Sequence, residues 1–225
     1  MSCTITVQVG QCGNQLGSAV LSSLSAPSVS SPSAVSLSLT SSTNLPPPPP
    51  SGYFRLSPKG VPVARAVLVD TEPKVIDKCL AQPRRSSGFA YPRSNAAAVG
   101  AGGAANNWAR GFLAGETVLE PVMERIRGEA ERCDCLEALH VVHSVAGGTG
   151  SGLGCAITGA IADAMGGKAL IWNTAVSPFE GGEVIVQDYN ATLTLAALQA
   201  VSDGVCVVEN EEAERACKNL MKVRQ

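Results

Sequence analysis

The 225-residue sequence predicts an α/β fold: a Rossmann-like, doubly wound and mainly parallel sheet with helices on both faces. Three observations point there. Apolar or alternating segments of strand length take turns with segments whose apolar residues recur at helical spacing, the order that βαβ units require. Two strand-to-helix junctions are glycine turns, at 10–13 and at 147–154. The length suits one α/β domain with its own core and is short for two, so 1–225 is read as a single domain.

Cys3, Ile5, Val7 and Val9 alternate with Thr4, Thr6 and Gln8, a period-two pattern that reads as the first strand. Gly10-Gln11-Cys12-Gly13-Asn14-Gln15 then opens a helix with Leu16, Val20 and Leu24 as its expected apolar face. At a helix N-terminus, Gln11 and Cys12 are placed to approach a phosphate; the bland alternative is an ordinary βα turn. Residues 25–62 read as a disordered Ser/Pro-rich insertion, and the run Pro46 to Pro50 favours polyproline II. A ligand for a proline-recognising module is the weaker reading of that run.

Val63 to Val69 reads as a buried strand ending in Asp70-Thr71-Glu72-Pro73. Two carboxylates at a strand's carboxyl end suit a hydrated Mg²⁺, which takes few protein oxygens; without a phosphate nearby they are a helix cap and a solvated charge. Residues 80–105 read as a long loop. Asn106 and Asn107, which either cap a helix or contact a ligand, precede apolar positions at Val118/Leu119, Val122/Met123 and Ile126. Ala169 to Val176 is a further strand, Leu193, Ala197 and Val201 line a helix, and Val205 to Val208 is a short buried strand. Asn210 follows it with an amide able both to donate and to accept, as a base edge requires. Glu211 and Glu212 favour the dipole of the last helix and need no other role.

The central junction is Ser144-Val145-Ala146-Gly147-Gly148-Thr149-Gly150-Ser151-Gly152-Leu153-Gly154. Leu139, Val141 and Val142 lead in as a strand; Leu153, Ile157, Ile161 and Met165 lead out as a helical stripe. Glycines let backbone N–H groups come close to a ligand, and a helix N-terminus favours an anion, phosphate above all. The spacing fits neither a P-loop, for want of a lysine, nor Gly-x-Gly-x-x-Gly, because Leu153 holds the last place. A third phosphate-binding solution remains, against a flexible connector.

The formal charge of −2 offers no basic field, so neither nucleic acid nor membrane is expected as a partner. With no apolar stretch near the ~20 residues of a membrane span and no signal-like start, a soluble, unexported protein is expected. Eight cysteines without a Cys-x-x-Cys pair suggest reduced thiols in the cytosol. His140 and His143 lie in an apolar strand and read as structural.

Taken together, Gly10-Gln11-Cys12-Gly13-Asn14-Gln15, Val69-Asp70-Thr71-Glu72-Pro73, Asn106-Asn107-Trp108-Ala109, Ala146 to Gly152, Tyr189-Asn190-Ala191-Thr192 and Glu209-Asn210-Glu211 resemble, in order, the N-terminal nucleotide-binding half of the tubulins. Ala146 in place of the usual glycine and Gln187 in place of a glutamate near the ribose look most like the δ branch. The resemblance implies GTP (or GDP) and Mg²⁺ as ligands and other tubulin subunits as partners. It also implies a cytoplasmic, cytoskeletal setting at centrioles or basal bodies. On this chain it places Gly147, Gly148, Thr149, Gly150, Ser151 and Gly152 at the phosphates, and Gln11 and Cys12 on the nucleotide's other side. Asp70 and Glu72 fall near Mg²⁺, Asn106 near the γ-phosphate, Gln187 near the ribose and Asn210 at the guanine edge. Tubulins are about twice as long, and the family's catalytic-loop acid has no counterpart here. No catalytic residue is therefore assigned, and weak or absent GTP hydrolysis is expected of the chain alone. The alternative is a nucleotide-free, tubulin-like interaction module.

Overall fold

A computed structural model describes residues 2–25, 52–81, 88–98, 102–182 and 184–222. In chain order the elements are β1 (Ser2–Val9), α1 (Gly10–Ser25), β2 (Phe54–Leu56), β3 (Pro62–Ala64), β4 (Ala66–Asp70), α2 (Pro73–Ala81), β5 (Ala96–Ala98), α3 (Trp108–Ala130), β6 (Cys135–Ser144), α4 (Gly154–Met165), β7 (Leu170–Ser177), α5 (Gln187–Val201), β8 (Gly204–Glu209) and α6 (Asn210–Lys222). Six strands form one sheet in the order β5-β4-β1-β6-β7-β8, every neighbouring pair parallel, which is the predicted fold class. From β1 the chain steps outward through β4 to β5, then returns across β1 to β6 and continues to β8. The winding therefore reverses between β1 and β6, and at such a point the loops leaving the carboxyl ends of the strands part to form a crevice.

Alternation within the strands decides which helix covers which face. Ile5, Val7 and Val9 of β1, with Val67, Val69, Leu139 and Val141, point to one face and meet Val118, Val122 and Ile126 of α3 and Leu153, Ile157 and Ile161. All these side chains are fully buried, each contributing about 1.5–3 kcal/mol relative to exposure. The stripe read from the sequence for α4 is thus the core stripe, with Met165 at its edge.

The opposite face is packed differently. On α1 the expected stripe of Leu16, Val20 and Leu24 is not the one that is buried; Gly13, Asn14, Gly17, Ser18 and Leu21 are, and Val20 is 43% exposed. The reason is close approach. A Cβ on Gly13 would sit 2.1 Å from the Val142 carbonyl oxygen, and one on Gly17 would sit 2.5 Å from Cδ of the buried Gln8. A similar shift occurs on α5, where Asn190, Thr194 and Leu198 are buried and Leu193 is 48% exposed. Thr194 satisfies its hydroxyl locally by donating to the Asn190 carbonyl at 2.6 Å.

Four further expectations are corrected. The predicted strand 63–69 is broken at Arg65 into β3, which pairs antiparallel with β2, and β4, which joins the main sheet. The hairpin turns at Gly60 (φ +72°) and occupies residues read as disordered, whereas 26–51 of that insertion lie outside the described residues. Within the stretch 80–105 read as loop, Ala96–Ala98 add an edge strand on β4. Strand β8 is real but is an edge strand with half-exposed and exposed side chains, not a buried one.

Arg65 turns inward because Glu129, fully buried near the end of α3, calls for cations. Its carboxylate accepts from Arg55 Nε at 3.1 Å, Arg65 Nη1 at 3.4 Å, Arg132 Nη1 at 3.3 Å and Asn95 Nδ2 at 3.0 Å. This network pins the end of α3 to the hairpin and to the amino end of β4. No described helix is long and apolar enough to cross a membrane.

Candidate functional site

The crevice between β1 and β6 opens into a cavity of about 560 Å³ at the carboxyl ends of the strands. Four segments line it: Val9 to Cys12 with Gln15, Asp70 to Glu72 with Val75, Gly102 to Asn106, and Ser144 with Gly147 to Gly150. The two glycine turns that the sequence singles out thus meet in one place. Gly10 adopts φ +72°, and a Cβ there would lie 3.1 Å from the Gly150 nitrogen, so the turns touch backbone to backbone. Asn14 holds a third segment to them, donating from Nδ2 to the Gly10 carbonyl at 2.9 Å and to the Val69 carbonyl at 3.0 Å. The Thr71 and Thr149 hydroxyls close the ring at 2.9 Å.

The central loop takes its shape from packing as much as from the cavity. After β6 the chain makes a π-helical turn, Thr149–Leu153, before α4. A Cβ on Gly152 would lie 2.0 Å from the Trp108 carbonyl oxygen, and one on Gly111 would lie 2.0 Å from the Gly148 carbonyl oxygen, so α3 rests directly on the loop backbone. Asn190 fastens the assembly from α5: its Nδ2 donates to the Ala146 carbonyl at 2.7 Å and the Asn106 carbonyl at 2.9 Å, and its Oδ1 accepts from the Trp108 N–H at 3.0 Å. The turn it braces holds Ala105 and Asn106 at φ +47° and +55°, a left-handed conformation uncommon for residues other than glycine. Such strain persists only where the surroundings over-determine it, often beside a ligand.

Of the residues singled out from the sequence, Gln11, Cys12, Asp70, Glu72, Asn106, Gly147, Gly148, Thr149 and Gly150 line the cavity together. Ser151 and Gly152 lie beneath it, fully buried, Ser151 donating its hydroxyl to the Gly147 carbonyl. Gln187 lies off the cavity lining and closes the loop before α5, donating to the Phe179 carbonyl at 2.9 Å. Asn210 begins α6 at the end of the edge strand, also off the lining. The sequence reading gave no role to Asn14, Thr71, Ser144 or Asn190. Asn190 stood in a quoted motif, and only its contacts show what it does.

Among the described residues, Asp70 and Glu72 are the charged side chains of the lining, and no lysine or arginine is with them. Asp70 Oδ1 accepts from the Glu72 N–H at 3.1 Å, while its Oδ2 is buried without a partner. Burial raises the Asp70 carboxyl above its ordinary range, backbone donors at Glu72 and Thr71 pull it back, and the Glu72 charge adds to the rise. An anion placed here would be met by the first-turn N–H groups of α1, which have no helical acceptor. A divalent cation would answer the unpartnered Oδ2. The donor set fits Mg²⁺, which needs one or two carboxylates and completes its shell with water and phosphate oxygens. Among the described residues there is no group of three or more His, Cys, Asp or Glu that could hold a metal ion.

Other titratable groups nearby are structural. Burial lowers the affinity of His143 for a proton, and its fully buried ring packs under Gly154. His140 Nε2 is 2.8 Å from the Thr174 hydroxyl. Burial also pushes the Cys12 thiol up, so it is uncharged at neutral pH.

Comparison with known proteins follows the same lines. The family description "Tubulin/FtsZ family, GTPase domain" matches residues 4–218. The chain is 39% identical over 222 residues to the tubulin delta chain of Homo sapiens, covering 98% of this chain and 48% of that protein. It is 38% identical over 226 residues to the delta chain of Mus musculus, with the same coverage. Against the tubulin beta chain of Pyropia yezoensis it is 34% identical over 219 residues, 97% of this chain and 46% of that one. The chain therefore spans about half the length of the relatives it matches.

Proposed function

The chain belongs to the Tubulin/FtsZ family, and from that premise we propose that the cavity between β1 and β6 binds the phosphates of a guanine nucleotide together with Mg²⁺. One observation carries the reading: two glycine turns and two carboxylates converge at the sheet's switch point in a cavity whose described lining holds no basic side chain. With no lysine, phosphate charge must be balanced by backbone N–H groups, helix ends and a divalent cation. Gly147 to Gly150 and the start of α1 hold the phosphates, with Gln11 and Cys12 on the far side and Asn106 at the rim. Asp70 and Glu72 would hold the cation, and Mg²⁺, when bound, would neutralise phosphate oxygens. Gln187 and Asn210, off the lining, are left for ribose and base.

Binding and turnover separate in this reading. Both lining carboxylates would serve the cation, and among the described residues the lining offers no further carboxylate or histidine to activate a water, so little hydrolysis is expected of the chain alone. Partners are other tubulin-type subunits. Ile185 and Tyr189, 99% and 75% exposed, lie just before and at the start of α5, the helix that carries the Asn190 brace, and a neighbouring subunit would cover them. Similarity to the delta chains supports a cytoskeletal role, with centrioles or basal bodies as the finer reading. The test is equilibrium binding of labelled GTP and ATP with and without Mg²⁺. Saturable, Mg²⁺-strengthened binding of GTP in preference to ATP supports it. Folded protein that binds neither is the nucleotide-free module instead.

A further inference from the structure

The loop from Gly147 to Gly150 and the turn from Gly102 to Asn106 are neighbouring walls of the cavity: a Cβ on Gly147 would lie 3.7 Å from Asn106 Oδ1, and one on Gly148 would lie 2.7 Å from the Ala104 Cβ. The turn holds Gly102, Gly103, Ala105 and Asn106 at positive φ, a conformation that is uphill for the last two. Asn190, 3% exposed and off the lining, bonds to both walls at once. Its Nδ2 donates at 2.7 Å to the carbonyl of Ala146, the residue before Gly147, and at 2.9 Å to that of Asn106, while its Oδ1 accepts from the Trp108 N–H at 3.0 Å. Two carbonyls and one N–H call for two donors and one acceptor, which an amide supplies; a carboxylate would turn lone pairs on both carbonyls. The helix behind it is anchored. Thr194 donates to the Asn190 carbonyl, and Leu198 is fully buried in one cluster with Val145, Cys155 and Ala175.

We propose that Asn190 is a positioning residue for the phosphates of the bound nucleotide: from outside the cavity it sets the spacing of the two walls that receive them. The proposal rests on the nucleotide reading above and adds to it a residue that touches no ligand. Both carbonyls bond to one nitrogen, so the walls share a single fixed point. With the amide removed, the turn at Ala105 and Asn106 relaxes toward negative φ and its wall draws away from the Gly147 loop. Phosphate oxygens then meet displaced backbone donors, which act only at hydrogen-bond distance and alignment. Ribose and base fall to Gln187 and Asn210, outside both walls, so the damage grows with the number of phosphates on the ligand.

The test is competition binding of GTP, GDP and GMP, each with Mg²⁺, to the full chain and to Asn190→Ala, with Asn95→Ala as the control for lost stability. Asn95 is likewise a buried amide that donates twice, to the Ala66 carbonyl at 3.1 Å and to Glu129 Oε2 at 3.0 Å, but at the amino end of the sheet. Asn190→Ala should lose at least about tenfold in affinity for GTP, less for GDP, and no more than about threefold for GMP. Asn95→Ala should unfold as easily in urea yet bind all three as the parent does. Should Asn190→Ala fail to fold, the parent chain supplies a second readout: its Asn190 Nδ2 proton signals should be protected from exchange and should shift, on titration with Mg²⁺·GTP, with the same midpoint as the amides of 147–150. Equal losses for the three nucleotides, unchanged GTP affinity, or Nδ2 signals that stay still while the lining amides shift would each overturn the proposal and leave the nucleotide reading standing. A parent chain that binds none of the three removes that reading, and this proposal with it.

Discussion

Replacing Asp70 by Asn should move stability and ligand binding in opposite directions. The Asn Oδ1 can keep the 3.1 Å bond from the Glu72 N–H, so the turn into α2 survives. What is lost is a buried charge with one oxygen unpartnered. Leaving such a group unsatisfied costs roughly 1–3 kcal/mol, and the open cavity favours the lower end. A gain of about 1 kcal/mol corresponds to about 2–4 °C in Tm for a domain of this size. The pH dependence has a definite sign. Asp70 is raised above 3.8, so the folded state holds its proton more tightly than the unfolded state. Its cost is complete above the raised value and vanishes as pH falls toward 3.8, so the advantage of the variant is largest at pH 7 and fades toward pH 4. Mg²⁺-dependent affinity for GTP should drop on the order of 10–100-fold. Thermal melts at several pH values and binding titrations with and without Mg²⁺ read both effects. A variant less stable than the parent at pH 7, or one whose GTP binding Mg²⁺ strengthens as much as before, would refute the reasoning.

Gly152→Ala and Gly147→Ala should separate packing from binding. The first places Cβ 2.0 Å from the Trp108 carbonyl oxygen and 2.6 Å from the Phe112 nitrogen, backbone atoms that cannot step aside, and should cost about 3 kcal/mol or more in urea unfolding. The second meets only Asn106 Oδ1 at 3.7 Å, so unfolding should change by less than about 1 kcal/mol while GTP affinity falls at least about tenfold. Glu129→Gln leaves Arg65, with a side chain 10% exposed, short of its charge partner; a loss of about 3–5 kcal/mol is expected in the same assay. His143 is held neutral by burial, so the unfolded chain binds the proton more readily. Its contribution is full above about pH 6.5 and is lost as pH falls below that value, at up to about 1.4 kcal/mol per pH unit. His143→Gln should flatten that part of the Tm–pH curve.

The sheet class, the α4 stripe and the convergence of two glycine turns were legible because each rests on periodicity or on glycine spacing. The buried faces of α1 and α5 were not. Gly13, Asn14 and Gly17 on one and Asn190 and Thr194 on the other are small or polar, and they are buried because backbone approach or a bonded amide demands it. A search for apolar stripes passes over such faces. Strand β5 is Ala96-Ala97-Ala98, which has no alternation to read, and it exists because β4 offers an edge. In the site, the turn residues were visible as types, whereas the braces from Asn14 and Asn190 cross 55 and 44 residues of chain and leave no local signal.

The central claim is that backbone at the switch point, and not a basic side chain, receives the phosphates. Amide ¹H–¹⁵N spectra of the labelled chain titrated with Mg²⁺·GTP test it most directly. Saturating shifts concentrated at residues 10–12, 71–72 and 147–150, reproduced by GDP at the α- and β-phosphate contacts, are predicted. Saturating shifts elsewhere in the fold, with those amides unmoved, would contradict it.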